Sequence, residues 1–336
     1  MKIGLAYDLK ESLQPRHGVP DDALEEYDSI ETVEAITSAL KALDHEVIWL
    51  GGGREFLAAI LHERVDIVFN IAEGRGDGRS REAQVPSILD MLEIPYTGSD
   101  PQCLAICLDK PLTKRIVAAE GVRTPQWRVI TDSEQLHELS WNGFPFPVFL
   151  KPSHEGSSKG IRTGNMAEHI IQATKEITVL LDQYRQPVMV EEFIAGDEVT
   201  VGVLGNSPPK ILGIMRVLPK IKQKNFIYSI EVKRDWERLV QYECPANLER
   251  TVIEKIADAS LKIYKVLGCH DFARIDFRVG YDGIPYFLEI NPLPGLNPRS
   301  SDLPIIASMK GLDFNELISG ILDAALNRYQ QCVPVR

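Results

Sequence analysis

Through the first hundred residues, short apolar runs alternate with helical periods, the pattern of an open α/β sheet. Ile3 to Tyr7 reads as a buried first strand. Asp28 with Glu31 three residues on marks a helix start, and Ile30, Val33, Ile36, Leu40 and Leu43 form its apolar stripe. A strand over 46–50, three glycines, a short helix and the buried run Val65-Asp66-Ile67-Val68-Phe69 follow, which predicts parallel strands in a Rossmann-like unit. Gly51-Gly52-Gly53 lacks the Gly-x-Gly-x-x-Gly spacing, so it reads as a tight turn and not as a dinucleotide fingerprint.

Beyond residue 100 the periods change. Leu104 to Glu120 reads as one helical stretch, stopped by Gly121 with Pro125 following. From Trp127 to Leu204 strand, Gly-rich loop, helix and strand describe a small α+β unit. The last third carries more strands, a polar segment over 220–225, a helix from Leu248 to Leu267 and a closing helix near Phe314 to Arg328. The expected fold class is therefore α/β and α+β in three units, 1–100, 101–204 and 205–336.

The most informative segment lies at 272–291. Asp282-Gly283 is a strong hairpin signal, and a two-residue turn pairs Val279 with Tyr286, Phe277 with Leu288 and Ile275 with Ile290 on an apolar face. On the opposite face Asp276 meets Glu289 and Arg274 meets Asn291, about 5 Å apart at Cβ, and facing like charges destabilise a sheet unless a cation lies between them. Magnesium held by carboxylates and by substrate phosphates fits; a solvated face neutralised by Arg274 or Arg278 fits these residues equally well.

Charge narrows the partners. A net charge of −11 and a pI near 5.2 argue against a nucleic-acid or acidic-membrane surface, which would need a basic face, so small-molecule chemistry is expected. No apolar run approaches a membrane span, the N-terminus reads as a strand and not a signal peptide, and the expected compartment is the cytoplasm. Five cysteines without a Cys-x-x-Cys pair indicate neither a disulfide frame nor a zinc site; Cys103 and Cys107, at helical spacing, read as core. The seven histidines show no ligand spacing and read as structural or solvated, with His154 the one worth reconsidering.

Two further stretches have the composition of a nucleotide site. The strand Phe146 to Lys151 runs into Ser153-His154-Glu155-Gly156-Ser157-Ser158-Lys159-Gly160, where small residues, two hydroxyls and a lysine suit a phosphate, although the Walker order is absent and a mobile surface loop has the same composition. Met189-Val190-Glu191-Glu192-Phe193-Ile194, with Glu198 behind it, can offer backbone groups to an adenine edge and a carboxylate to ribose, or end as solvated acids.

Taken in order, the stretches IPYTGS at 94–99, LDKPLTK at 108–114, FPVFLKPSHEGSSKG at 146–160, VMVEEFIAGDEVTVGVLG at 188–205, LGCHDFARIDF at 267–277 and LEINPLPGLNPRSS at 288–301 resemble the ATP-grasp superfamily and, within it, the D-alanine–D-alanine ligases, over nearly the whole chain. The resemblance implies an ATP-grasp fold with an N-terminal Rossmann-like domain, a central lid domain and a C-terminal domain bearing the metal site. It implies that Lys110 and Lys151 contact ATP phosphates, with Ser157 and Ser158 in the covering loop, while Glu191, Glu192, Phe193 and Ile194 face adenine, Glu198 meets ribose, and Lys233 serves the phosphate or adenine side. Asp276, Glu289 and Asn291 would hold two Mg2+ ions. Arg274 and the backbone N–H near Gly295 would stabilise an oxyanion, with Ser157 and Ser300 near the reacting groups. The implied reaction is ATP-dependent: a substrate carboxylate becomes an acyl phosphate, and an amine displaces phosphate. A homodimer acting on small molecules is implied with it.

The departures cluster at the amino-acid pockets. The family's Gly-Gly-x-Ser-x-Glu segment is absent; an acidic loop at 21–28 stands there, with Glu26 or Asp28 as substitutes for the missing glutamate or as helix-capping acids. Glu73-Gly74 replaces His-Gly, Arg234 replaces a tyrosine, and Ser300-Ser301, preceded by Arg299, replaces serine-leucine. Arg234 and Arg299 would suit an extra carboxylate on one substrate, so the expectation is a ligase whose substrates are not both D-alanine. A true D-alanine–D-alanine ligase and an ATP-binding regulatory protein without turnover are the alternatives.

Overall fold

The computed structural model describes residues 1–13, 18, 20–138 and 140–332; His17 lies outside them. The N-terminal unit comprises β1 (Lys2–Ala6), α1 (Ile30–Ala42), β2 (Glu46–Gly51), α2 (Gly53–His62), β3 (Ile67–Asn70) and α3 (Gln84–Met91). Its sheet runs β2-β1-β3 with both pairings parallel, as the alternating pattern predicts. The glycine triplet is a tight turn between β2 and α2: Gly51 has φ +67, and a Cβ on Gly52 would come within 1.9 Å of Asp8 Oδ1. Helix α1 starts one residue later than the capping signal places it. Ser29 occupies the N-cap, and Asp28 instead pairs its backbone with Leu9 in a parallel bridge.

α4 (Pro101–Leu108) and α5 (Lys110–Ala119) replace the single helix expected over 104–120. Asp109 ends the first and caps the second, accepting from Leu112 N at 3.1 Å, and Pro111 sits in the first turn, where its missing N–H costs nothing. The break matters because it sets Lys110 at the head of a new helix.

A second sheet, of order β4-β7-β5-β6, is built from β4 (Trp127–Ile130), β5 (Val148–Pro152), β6 (Met166–Ala167) and β7 (Val188–Glu192), with α6 (Ser133–Glu138) and α7 (Ile170–Tyr184). Ala173, Ile177 and Leu180 of α7 bury against Val148, Leu150, Val188 and Val190.

The third sheet has order β10-β9-β8-β11-β12: β8 (Gly196–Leu204), β9 (Lys210–Pro219), α8 (Ile230–Arg234), α9 (Trp236–Leu239), β10 (Val240–Glu243), α10 (Arg250–Val266), β11 (Phe272–Gly280) and β12 (Pro285–Asn291), followed by α11 (Asp302–Met309) and α12 (Phe314–Cys332). β8, placed in the central unit by the sequence boundary at 204, pairs with β11 and β9 and so belongs to this sheet. α12 returns to the first unit, where Leu317, Ile318 and Ile321 share a core with Ile3, Leu5, Val33 and Ile36. Among the described residues no helix is long and apolar enough to cross a membrane.

Hairpin register follows the sequence at the open end and departs from it at the tip. Arg274 pairs with Asn291, Ile275 with Ile290 and Asp276 with Glu289, but Phe277 pairs with Phe287 and Val279 with Pro285. Leu288 is the extra residue of a bulge, and Gly280 N–H meets Ile284 O across a three-residue loop. The expected Phe277–Leu288 and Val279–Tyr286 pairs are thereby overturned. Phe287 is buried in the core and Leu288 is turned to the cleft.

Candidate active site

Period-two alternation along β11 puts Ile275, Phe277 and Val279 into the core and leaves Arg274, Asp276 and Arg278 on the cleft face. Arg274 donates to Asp276 Oδ2 from Nε at 3.1 Å and Nη2 at 2.9 Å; Glu289 Oε1 lies 3.8 Å and Asp302 Oδ2 3.5 Å away. One guanidinium thus serves three acids. Asp276 Oδ1 and Glu289 Oε2 are nonetheless buried without a hydrogen-bond partner. Two such oxygens, facing each other across a strand pair, are the hard donors a magnesium ion takes, so the residues present fit that ion.

Lysines surround the acid pair. Lys110 Nζ lies 3.4 Å from Glu289 Oε2 and donates to Glu155 O. Burial acts to raise the Glu289 pKa, but Lys110, Lys151 and Arg274 together outweigh it and bring the carboxyl down to about 2. Asp276 moves the other way, raised by burial and by Glu289 despite Arg274. Lys151 pairs with Glu191 Oε2 at 2.9 Å; burial opposes its charge, but Glu191 and Glu289 raise its pKa.

Most of the expected nucleotide residues line one cavity. Lys151, Ser158, Glu191, Glu192, Phe193, Ile194, Glu198 and Lys233 share it with Asp276 and Glu289. Phe149, Ile227 and the bulged Leu288 give it apolar walls. Glu198 Oε1 accepts from Arg278 at 2.7 Å and from Tyr228 N at 3.1 Å, and the Arg278 guanidinium stacks 4.5 Å from the Phe193 ring. Lys233 Nζ lies 4.9 Å over the Tyr228 ring. Ser157 neighbours Ser158 in the loop, and Asn291 pairs with Arg274 at the strand end. Gly295 and Ser300 lie on the segment after β12; Ser300 is exposed and its N–H donates to Asn297 Oδ1, and a Cβ on Gly295 would approach Ser301 Oγ to 2.8 Å.

Four residues of the site escape a reading by sequence alone. Lys114 is fully buried, 2.5 Å from Glu191 Oε1, and also donates to Phe287 O. Arg278 and Asp302 hold Glu198 and Arg274 respectively. Arg81, 1 % exposed, donates to Glu26 Oε2 at 2.5 Å, Glu155 Oε2 at 3.1 Å and His154 O at 2.9 Å. Charged residues ordinarily read as surface; the LDKPLTK resemblance covers Lys114 without a role, and Arg278 reads only as a neutraliser of the hairpin acids.

These contacts close the Gly/Ser loop onto the N-terminal unit. Lys159 meets Glu26 at 3.1 Å and Glu155 at 2.7 Å, Gly160 N donates to Asp22 Oδ2 at 2.9 Å, and Ser157 and Ser158 adopt φ +47 and +60. A Cβ on Gly160, at φ +69, would collide with Pro152 Cγ at 2.4 Å. The acidic loop is therefore taken up by the protein's own cations. Both Glu26 oxygens accept from the protein's own cations, Arg81 and Lys159. Arg234 donates to Asp21 and Glu25, and Arg299 is exposed with no ion-pair partner among the described residues, so neither supports an extra substrate carboxylate. Glu73 is buried; burial, then Glu82, Glu26 and Asp28, drives its carboxyl up.

Comparison with known proteins identifies the family. The family described as D-ala D-ala ligase C-terminus matches residues 116–323. A D-alanine–D-alanine ligase of Aquifex aeolicus is 36 % identical over 294 residues, covering 88 % of this chain and 94 % of the relative, and an uncharacterized protein, y4sG, of Sinorhizobium fredii is 31 % identical over 304 residues, covering 88 % of each. A crystal structure of a D-alanine–D-alanine ligase from Bacillus anthracis complexed with ATP superposes with a TM-score of 0.75 at 24 % identity over 99 % of this chain and all of that one. The VanG D-Ala:D-Ser ligase of Enterococcus faecalis shares the fold, with a TM-score of 0.74 at 20 % identity over 96 % of this chain and 99 % of that one. By fold, by the family match and by these relatives, the chain belongs to the D-alanine–D-alanine ligase family of ATP-grasp, ATP-dependent carboxylate–amine ligases.

Proposed function

We propose that the protein joins an amino-acid-like carboxylate to an amine at the expense of ATP and Mg2+, through an acyl phosphate, with at least one substrate other than D-alanine. The observation that carries this reading is the facing pair Asp276–Glu289, each with one buried oxygen that has no hydrogen-bond partner among the described residues, in the same cavity as Lys151 and beside Arg274 and Lys110. Asp276, Glu289 and Asn291 would hold magnesium, which when bound neutralises phosphate oxygens and leaves them open to attack. Lys110 and Lys151 would position the triphosphate, Phe193, Ile194 and Leu288 would enclose the base, and Glu198 would meet the ribose hydroxyls.

The substrate carboxylate oxygen attacks the γ-phosphorus and ADP leaves. The amine nitrogen then attacks the acyl carbon, the oxyanion is stabilised by Arg274 and by the backbone near Gly295, and phosphate departs as the amide forms. Ser157, Ser158 and the loop bearing them exclude water, which would otherwise hydrolyse the acyl phosphate. The reading places the enzyme in the cytoplasm as a homodimer.

A true D-alanine–D-alanine ligase is favoured by the 36 % identical relative, and a different substrate by the missing Gly-Gly-x-Ser-x-Glu segment and by Glu73 in place of a histidine. Phosphate release from ATP over a panel of single amino acids and pairs, with product mass determined, separates them. Turnover with D-alanine alone at the highest rate of the panel overturns the substrate reading, and turnover with no carboxylate–amine pair overturns the ligase reading.

A further inference from the structure

Away from the cleft, the fold brings three cysteines together. Cys103 and Cys107 lie one turn apart on α4, and Cys269 comes from the turn between α10 and β11. Cys103 Sγ is 3.9 Å from Cys107 Sγ and 3.6 Å from Cys269 Sγ, and all three sulfurs lie within 4.8 Å of one another. We propose that Cys103, Cys107 and Cys269 form a three-thiolate site for a thiophilic d10 cation of the Cu+ or Zn2+ class, distinct from the oxygen-donor site at Asp276 and Glu289.

Metal–thiolate bonds of about 2.3 Å give sulfur–sulfur edges of roughly 3.8 Å in a tetrahedral and 4.0 Å in a trigonal arrangement. The Cys103–Cys107 edge of 3.9 Å has this length and the Cys103–Cys269 edge of 3.6 Å is close to it, so ligation needs only small side-chain shifts. The sulfurs are also held in place by their backbones. Asp100 caps α4 by accepting from Cys103 N at 2.8 Å; Cys269 N donates to Tyr264 O at 3.0 Å, and His270 N to Ser99 Oγ at 3.0 Å. Buried Asp271 fastens the same turn to Gly98 N at 2.8 Å and to Arg328 at 2.9 Å. Preorganisation of this kind is what a metal site requires of its surroundings.

Access is provided on one side. Cys269 and His270 line a surface groove together with Tyr264, Asn206 and Arg328, so Cys269 is the thiol nearest to an approaching ion, with Cys103 and Cys107 buried behind it. Soft sulfur donors discriminate against magnesium, which keeps the two sites chemically separate. Each thiol that ligates gives its proton to solvent. Ligation would tie the end of α4, three residues before Lys110, to the turn that leads into β11.

The test uses the reduced, metal-stripped full chain titrated with Cd2+ alone. The expected result is a thiolate-to-metal charge-transfer band that saturates at one ion per chain, with proton release on binding and an all-sulfur protein shell in X-ray absorption. Cys244→Ala with Cys332→Ala leaves the band unchanged, whereas Cys107→Ala and Cys269→Ala each weaken binding by about a hundredfold or more, beyond the loss of an outer partner. No band in the folded wild-type chain, a nitrogen- or oxygen-dominated shell, or equal binding by Cys107→Ala overturns the proposal. Because the wild-type spectrum alone decides, an unfolded variant does not rescue it.

Discussion

Lys114 Nζ lies 2.5 Å from Glu191 Oε1 in full burial, on the side of the carboxylate opposite Lys151. The same ammonium donates to Phe287 O at 2.9 Å and Thr124 Oγ1 at 2.8 Å, so one side chain fastens α5 to β12 and to the floor of the cavity. Burial lowers its pKa to about 8 in spite of Glu191. Removing one partner of such a pair leaves the other charge buried, at a cost of about 3–5 kcal/mol. Lys114→Met is expected to lose stability of that order in urea unfolding and to weaken ATP binding through misplacement of Lys151.

Arg274 is held by Asp276, Glu289 and Asp302, and in the proposed mechanism it adjoins the place where negative charge would develop. Arg274→Ala should lower kcat by about 10²–10³ while changing ATP affinity far less. Asp276→Ala or Glu289→Ala should abolish turnover with the fold retained by circular dichroism. Near-normal phosphate release by either acid variant would contradict the metal assignment.

The sequence pattern reached the open end of the hairpin because Arg274, Asp276, Glu289 and Asn291 alternate cleanly with Ile275 and Ile290. It missed the bulge because Ile284, Tyr286, Phe287 and Leu288 form a near-continuous apolar run with no period to fix which of them faces inward. The parallel sheet was legible from its buried runs, whereas the break at Asp109 was hidden by apolar spacing that continues through Asp109-Lys110-Pro111. Arg81 and Lys114 escaped for a different reason. Their burial depends on Glu26, Glu155 and Glu191, partners that are distant in sequence and are supplied by tertiary structure.

Arg81 illustrates the functional weight of such a residue. It joins Glu26 of the N-terminal unit to Glu155 and His154 O of the Gly/Ser loop, and all three contacts fail in Arg81→Met. The variant should lose about 3–5 kcal/mol of stability. In the proposed mechanism, release of the loop would let water reach the acyl phosphate. Phosphate release without matching amide product, measured in one reaction mixture, should therefore rise relative to wild type.

Stability should also depend on pH through Glu82. Burial, reinforced by Glu26 and opposed by Arg81, raises its pKa from 4.5 to about 7. A carboxyl that holds its proton more tightly in the folded than in the unfolded chain favours folding at low pH. That contribution is complete below about pH 4.5 and is lost as pH rises through about 7, on the order of 3 kcal/mol in all. Glu82→Gln, which carries no proton to lose, should flatten the fall in Tm between about pH 5 and 8. A wild-type Tm that climbs steadily across that interval, or an identical slope in the variant, would remove Glu82 as its source.

The bulge at Leu288 separates two neighbouring side chains that a regular strand would have assigned the other way round. Phe287 is fully buried against Phe277, with ring centroids 6.1 Å apart, while Leu288 lines the cavity with Glu198 and Phe193. Phe287→Ala should cost about 3–5 kcal/mol by opening a void in the core. Leu288→Ala should leave stability nearly unchanged and raise the Kd for ATP several-fold, because a half-buried wall is lost only where the base would rest, at about 25 cal/mol per Å2 of apolar surface. Unfolding curves and nucleotide titrations on the two variants settle the register: with Leu288 in the core and Phe287 in the cleft, the two phenotypes would exchange.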